Sequence, residues 1–492
     1  MKSYPQSIVE YLELHASNIP GKTAVIAMDG SATYENLWKM TVGFSQILIK
    51  KGIRKGDPVV VKTTQTLSHI VAVLGIQLAG GLYTPLERSS SIETAVSILK
   101  KTVAPVFIGE KPLPDGYNTA KWLPLPDIRN GGRETRIPEI IDFPGQDDSA
   151  DILFTTGTTG DAKGVELYHH NNTVMGENLC GALGIRDDTV LMLPGPLNHA
   201  NPIRKVYTAI YKGATSVILD GMDFRTFFNG LENEGVNAIS MTPAATRMLM
   251  LRAKEKFCRY GERIEFIESV SSPLPEADKQ ELLKLFPKSR LYNSYGSSEA
   301  GSQCTYNIQD HPEFIGCIGR PMPTIVLSVV DSDRIPIEES SERMPGFLAC
   351  KGPINMKGYW NDPEATKSIM VNGYIYSKDL GYYKNGFVFM LGRESDIFDV
   401  GGFKVSPIDI ENVALAYRGI EDCICVPKSN PISGYEPKLL IVVNERENLL
   451  LDDFRVHMMK TLESYKVPRE IEIVKSINRT YNGKLDRKSY RI

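Results

Sequence analysis

The segment Phe154-Thr-Thr-Gly-Thr-Thr-Gly-Asp-Ala-Lys-Gly-Val165 sets the tightest limit on what this chain folds into. It continues the apolar run 152–154 and holds three glycines, four threonines and one lysine. A short apolar run that opens into Gly and Thr reads as a strand feeding a tight loop. The glycines let backbone N–H groups converge without Cβ interference. The Thr hydroxyls add donors and Lys163 adds a positive charge, which together make a nest for phosphate oxygens. The spacing is not that of the Walker loop, where Lys directly follows Gly and precedes Ser or Thr. Here Lys163 lies three residues after Gly160, and Gly164 follows it. The plain alternative is a ligand-free surface turn. Two Thr-Gly steps in register with a basic residue favour phosphate.

A strand–loop of this kind belongs to an α/β sheet, and the rest of the chain keeps that rhythm. Helical periodicity over 7–16 is followed by the turn signal Asp29-Gly30 between two short β-rich runs. Strands are expected at 59–61, 82–86 and 106–108, with a helix over 68–78. After the loop, strands are expected at 190–193, 215–219, 238–241, 264–268 and 290–293, with helices between them. Ligands in such sheets sit beyond the carboxyl ends of strands. The polar clusters follow Phe154, Leu193, Met241 and Asn293, which is where that rule puts a site. From 325 the texture becomes β-rich. From 392 a small α+β unit is expected, with helices over 408–417 and 453–465 and strands at 422–426, 438–443 and 470–474.

At 492 residues the chain is too long for one core, so two or more domains are expected. Net charge is −3, with no basic excess or stripe, which argues against nucleic acid and membrane surfaces as partners. The start Met1-Lys-Ser-Tyr-Pro lacks an apolar signal core. No run reaches the ~18 apolar residues of a membrane span; the nearest, 70–83, contains Gln77 and three glycines. Seven scattered cysteines, with Cys423 and Cys425 as C-x-C but no second pair at suitable spacing, give no zinc site. Reduced thiols and a cytoplasmic location are expected.

Three further stretches carry chemistry. Asn293-Ser-Tyr-Gly-Ser-Ser-Glu-Ala-Gly301 offers the Tyr295 ring for stacking and Glu299 as a hard oxygen suited to Mg²⁺. Tyr374-Ile-Tyr-Ser-Lys-Asp-Leu-Gly381 sets Asp379 at a strand end, where a carboxylate accepts two ribose hydroxyls. Arg393 follows fourteen residues on, and an Asp–Arg ion pair is the competing reading. In Thr480-Tyr-Asn-Gly-Lys-Leu-Asp-Arg487 the Asn482-Gly483 turn projects Lys484, which alone would be a solubility residue.

Together these stretches resemble the adenylate-forming superfamily of acyl- and aryl-CoA synthetases, peptide-synthetase adenylation domains and firefly luciferases. The resemblance runs over nearly the whole chain in the family's order. It takes in Ala79-Gly-Gly-Leu-Tyr-Thr-Pro-Leu86, the Gly/Thr loop, Pro196-Leu-Asn-His199 and Tyr295-Gly-Ser-Ser-Glu299. Gly352-Pro-Ile-Asn-Met-Lys-Gly-Tyr359, Ser377-Lys-Asp-Leu-Gly381, Gly392-Arg-Glu-Ser-Asp396 and Asn482-Gly-Lys484 complete it.

The resemblance implies an α/β fold: a large N-terminal domain (1–394) of α/β sheets with a β-rich subdomain, hinged to a small α+β domain (395–492). It implies activation of a carboxylic acid by ATP and Mg²⁺ to an acyl-adenylate, then transfer to coenzyme A. By position, Thr155, Thr156, Gly157, Thr158, Thr159, Gly160 and Lys163 would hold the β- and γ-phosphates. Glu299 and Thr156 would hold Mg²⁺. Ser298 replaces the family's usual Thr at the α-phosphate. Tyr295 and Gly296 would cover adenine, Asp379 and Arg393 would hold the ribose, and Lys484 would bridge carboxylate and phosphate as the catalytic lysine. The hinge falls on Ser395, and rotation about it would bring Gly401, Gly402 and Phe403 to the thiol tunnel.

For the acid, the resemblance makes His199 a gate and catalytic neighbour, with Asn201, Ser271 and Ser272 in the pocket. Amino-acid-activating relatives carry Asp where this chain has Ala200, so an α-amino acid is disfavoured in favour of a small or medium aryl or acyl acid. Arg204 and Lys205 are expected to be solvated, or to meet a second carboxylate if one faces the pocket. Ser269-Val-Ser-Ser-Pro-Leu274 departs from the family's Ser-Gly-Gly-Ala-Pro-Leu, and its side chains would narrow the pocket. Two rival readings stand beside the CoA ligase: an enzyme loading a carrier protein, and a non-catalytic nucleotide-binding regulator.

Overall fold

The computed structural model describes residues 4–117, 120–133, 135–155, 162–444, 447, 449–479 and 485–490. Local chemistry starts its helices. Ser7 caps the helix Ile8–Asn18 and Thr66 caps Leu67–Leu78, each side-chain oxygen accepting an amide three residues on. The helix Leu67–Leu78 is apolar all round, and every residue of it but Ser68 is buried. A helix with that pattern belongs inside a core, not on its surface. This accounts for the chain's longest apolar run without a membrane; among the described residues no helix is long and apolar enough to cross one.

The described residues form three sheets. In the largest, the strands Thr23–Ala27, Thr215–Ile218, Val190–Leu193, Ala238–Met241, Phe266–Val270 and Arg290–Ser297 lie side by side, all parallel. The sheet then continues antiparallel through Gly301–Asn307, Cys317–Pro321, Phe387–Arg393, Tyr374–Lys384, Gly346–Lys351 and Val326–Val330. The β-rich stretch is therefore an extension of the parallel sheet, with Cys317–Pro321 as the joint. The second sheet sets Ser149–Thr155 between Leu82–Leu86, parallel, and Lys163–Tyr168, antiparallel. The small unit is built on the strands Ile420–Asn430 and Gly434–Val443, one long hairpin, with Glu470–Ile473 parallel to the second. Helices Pro407–Leu415 and Leu451–Thr461 pack on it.

Two buried polar clusters lock the layers. Asp151, on the strand that leads into the Gly/Thr loop, accepts from Gln77 (2.8 Å), Tyr207 (3.1 Å) and Asn172 (2.7 Å). Burial pushes its carboxyl up, and those three donors pull it back. One side chain thus joins the strand to three helices. Beside it, Lys205 Nζ lies 2.7 Å from Glu268 Oε1, both side chains fully buried. Glu268 also accepts from Ser240 (2.6 Å) and Ser294 (2.7 Å) on the neighbouring strands. Lys205→Met strands that carboxylate without its counter-charge. It is expected to cost about 3–5 kcal/mol in denaturant unfolding, and adding Glu268→Met should restore most of the loss. An unchanged unfolding midpoint for the single variant would contradict this role.

Candidate active site

The strands Arg290–Ser297 and Gly301–Asn307 approach so closely that a Cβ on Gly296 would sit 2.1 Å from the Gly301 carbonyl oxygen. Only glycine fits there, and the register shifts at that point. The tight return carries Ser298 and Glu299, both half-buried, at the carboxyl end of Arg290–Ser297. Arg204 supports the return from below, donating to the carbonyls of Ser297 (3.3 Å) and Ser298 (2.9 Å). Burial draws its guanidinium down to about 10, while Asp151 and Glu299 pull the other way. Arg204 and Lys205 are therefore neither solvated nor free to bind a second carboxylate. The first braces a loop and the second is spent on Glu268.

Tyr295, Asp379 and Arg393 meet. The strands Tyr374–Lys384 and Phe387–Arg393 pair Asp379 directly with Arg393. Arg393 Nε donates to Asp379 Oδ1 (3.2 Å), and the Tyr295 hydroxyl donates to Oδ2 (2.6 Å). Ser377 Oγ accepts the Asp379 amide at 3.1 Å, fixing the backbone of the carboxylate. Burial, then Asp379 itself, pushes the Tyr295 phenol well above its usual range, so it stays a donor. The competing ion-pair reading is thus true, and the pair still lines a cavity. That cavity, about 330 Å³, is walled by Ser271 and Ser272, Tyr295 and Gly296, and Asp379 and Arg393. Its opposite wall comes from the small unit and includes Leu485, next to Lys484, and Arg487. His199 and Asn201 are not among its lining residues. They begin the helix Ala200–Lys212, with His199 as its N-terminal cap residue.

Ser271 has φ +83°, in the left-handed region. A serine there carries strain that glycine would not. The departure from the family's Gly is therefore felt in the backbone as well as in the pocket.

A second group of candidates gathers on Tyr359. Its hydroxyl donates to Glu299 Oε1 at 2.9 Å, and Lys163 Nζ lies 4.9 Å from its ring centroid. Lys163 itself pairs with Thr155 across the two strands that flank the Gly/Thr loop. Tyr359 closes the motif spanning 352–359, and only the packing of its strand against Lys163–Tyr168 brings it to this group. Thr156, Gly157, Thr158, Thr159, Gly160 and Lys484 lie outside the described residues. Arg479 and Leu485, which flank 480–484, are bridged antiparallel. Ser395 is exposed, its hydroxyl 3.4 Å from Asp396 Oδ1. Gly401 and Gly402 form an exposed turn, both with positive φ, and the neighbouring Phe403 stacks on Tyr465 at 4.6 Å.

The chain is 24% identical over 481 residues to a 2-succinylbenzoate–CoA ligase of Oceanobacillus iheyensis, covering 97% of this chain and 98% of the relative. The fold matches the crystal structure of the anthranilate–CoA ligase AuaEII in complex with anthranoyl-AMP, with TM-score 0.90, 17% identity and 99% and 97% of the two chains covered. It also matches ATP-bound MatB from Rhodopseudomonas palustris, with TM-score 0.88, 21% identity and 99% of each chain. The AMP-binding enzyme model spans residues 12–360, and the model of its C-terminal domain spans 409–484. The chain belongs to the AMP-binding enzyme family.

Proposed function

We propose that this protein is an AMP-forming acid–thiol ligase that acts on a small aryl or acyl acid and coenzyme A. The observation that carries the reading is the single cavity shared by Tyr295, Asp379 and Arg393 with the segment next to Lys484. In the first half-reaction a carboxylate oxygen attacks the α-phosphorus of ATP, the bond to the pyrophosphate oxygen breaks, and pyrophosphate leaves. In the second, the thiol sulfur attacks the acyl carbon, the acyl–phosphate bond breaks, and AMP leaves.

The obstacle in the first step is two anions meeting, so positive charge and oriented donors must be in place beforehand. Asp379 takes the ribose hydroxyls, Arg393 keeps that carboxylate aimed, and Tyr295 lies along the base. Lys163 and the Gly/Thr loop hold the leaving pyrophosphate, and Ser298 offers its hydroxyl to the α-phosphate. Lys484 neutralises the approaching carboxylate. Among the described residues no three His, Cys, Asp or Glu side chains gather as a metal cage. Glu299 supplies one hard oxygen, which fits Mg²⁺ held mainly by phosphates. When bound, the ion would screen the phosphate charge. His199 and Asn201 shape the acid end, where uncharged Ala200 gives no partner for an α-ammonium.

The boundary at Ser395 acts as the hinge between the half-reactions. The exposed Gly401–Gly402 turn and Phe403, 56% exposed, are the surfaces that rotation would bring to the thiol.

A pyrophosphate-release screen over aryl, aliphatic and amino acids, with thioester read by mass spectrometry, tests the reading. Release with an aryl or short acyl acid, and a CoA thioester as product, is the expected result. No acid-dependent release, or adenylate that reaches a pantetheinylated carrier but never CoA, would overturn it.

A further inference from the structure

Arg247 lies on the large-domain helix Pro243–Cys258, yet its guanidinium is spent mostly on the small unit. Its Nε donates to the Glu421 carbonyl at 2.6 Å and its Nη2 to the Ile420 carbonyl at 3.1 Å. Its Nη1 donates to Asp278 Oδ1 at 2.5 Å, and Asp278 is itself nearly buried on the helix Glu276–Leu285. The next residue of the small unit, Asp422, takes both oxygens to Arg479 Nη2, at 2.8 and 2.7 Å. Arg479 is bridged to Leu485, and those two residues flank the segment that bears Lys484. A continuous line of polar contacts therefore runs from the large domain, through 420–422, to the stem of the lysine segment. A second contact, from the Glu276 amide to Asn412 Oδ1 at 3.3 Å, reinforces the same seam.

We infer that Arg247 is a positioning residue that holds the small domain in the orientation that makes the adenylate. The inference rests on the ligase reading above. The guanidinium fork satisfies two main-chain carbonyls at the start of a strand, a geometry that Lys would not reproduce. The contact is made in this orientation, with Leu485 at the cavity, and a rotation about the proposed hinge at Ser395 would carry 420 and 421 away from residue 247. Losing it removes stabilisation from one orientation and leaves the other untouched, so the two half-reactions must respond differently.

The test uses the full chain in two forms, Asp278→Asn and Arg247→Met/Asp278→Asn. The pair is chosen so that no bare carboxylate is left buried. Acid-dependent ATP–pyrophosphate exchange measures the first half. Transfer to CoA from the supplied acyl-adenylate, made from the acid that scores in the screen, measures the second. Asp278→Asn alone keeps both carbonyl bonds and an oxygen acceptor for Nη1, so exchange and transfer should keep the parent's ratio while the lost counter-charge lowers the melting temperature. The double variant should lose about 10²–10⁴-fold in exchange, two charge-assisted bonds at roughly 10–100-fold each, with transfer unchanged or faster. Amide exchange at 420–423 should quicken in the double variant, with its melting temperature close to that of Asp278→Asn. Equal losses in both halves, or double and single variants alike, would overturn the inference. Failure of the ligase reading shows separately, as a parent enzyme that makes no thioester; amide exchange then still decides whether Arg247 holds the seam.

Discussion

Replacing Lys484 by alanine is expected to lower acid-dependent pyrophosphate release by roughly 10²–10³-fold, the usual effect of deleting one group aimed at developing charge. ATP affinity should change little, because the proposed mechanism uses the lysine only where the carboxylate meets the α-phosphate and assigns the other phosphates to the loop with Lys163. Transfer to CoA from supplied acyl-adenylate should survive, since that step starts after the P–O bond has been made and, on the proposed hinge reading, uses the other orientation of the small domain. The stem is what makes the prediction specific: Arg479 and Leu485 are bridged on either side of 480–484, and Leu485 lines the cavity with Tyr295 and Asp379. Single-turnover pyrophosphate release and calorimetric ATP titration read the two quantities apart. Parent-like release in the variant would remove Lys484 from the mechanism.

The second large effect is expected at Asp379. Asp379→Ala should raise the ATP KM by roughly 10–100-fold, because a hydrogen bond to a charged group is worth about 1.5–3 kcal/mol. The loss comes from two sources. The proposed ribose contact loses its acceptor, and Tyr295 and Arg393 lose the carboxylate that orients them. Asp379→Asn keeps one oxygen acceptor and should fall between the parent and the alanine variant. Steady-state kinetics in ATP at saturating acid, alongside a melting curve, separates binding from folding. An unchanged KM would leave Asp379 as an ion-pair partner alone.

Much of this site is legible in the sequence because its parts are local. The strands Leu82–Leu86, Val106–Ile108, Val190–Leu193 and Ala238–Met241 are short apolar runs bounded by turns, and they stand where expected. The hairpin Ile420–Asn430 with Gly434–Val443 is longer than its apolar pattern. Most of its outer half, including Lys428 and Glu436, is exposed or half-exposed, so no hydrophobic alternation marks it. Arg204 and Lys205 look like helix-surface charges because nothing nearby reveals their partners. Glu268 is 63 residues from Lys205, and Arg204 binds carbonyls, which carry no side-chain signature. Arg247 is hidden for the same reason. Tyr359 was visible as part of a motif, but its meeting with both Glu299 and Lys163 depends on the strand Gly358–Tyr359 pairing with Lys163–Tyr168.

The helix Ala200–Lys212 has one practical consequence for redesign. Its neighbours Arg204 and Lys205 are pinned to the Ser297–Ser298 return and to the sheet, so the element that starts at His199 cannot slide or tilt without disturbing the nucleotide end. If the proposed acid-end role of His199 and Asn201 holds, a new acid preference is sought by exchanging those side chains on a fixed platform. Lengthening or shifting the preceding loop would instead be transmitted through Arg204 to the Ser297–Ser298 return and its neighbour Glu299.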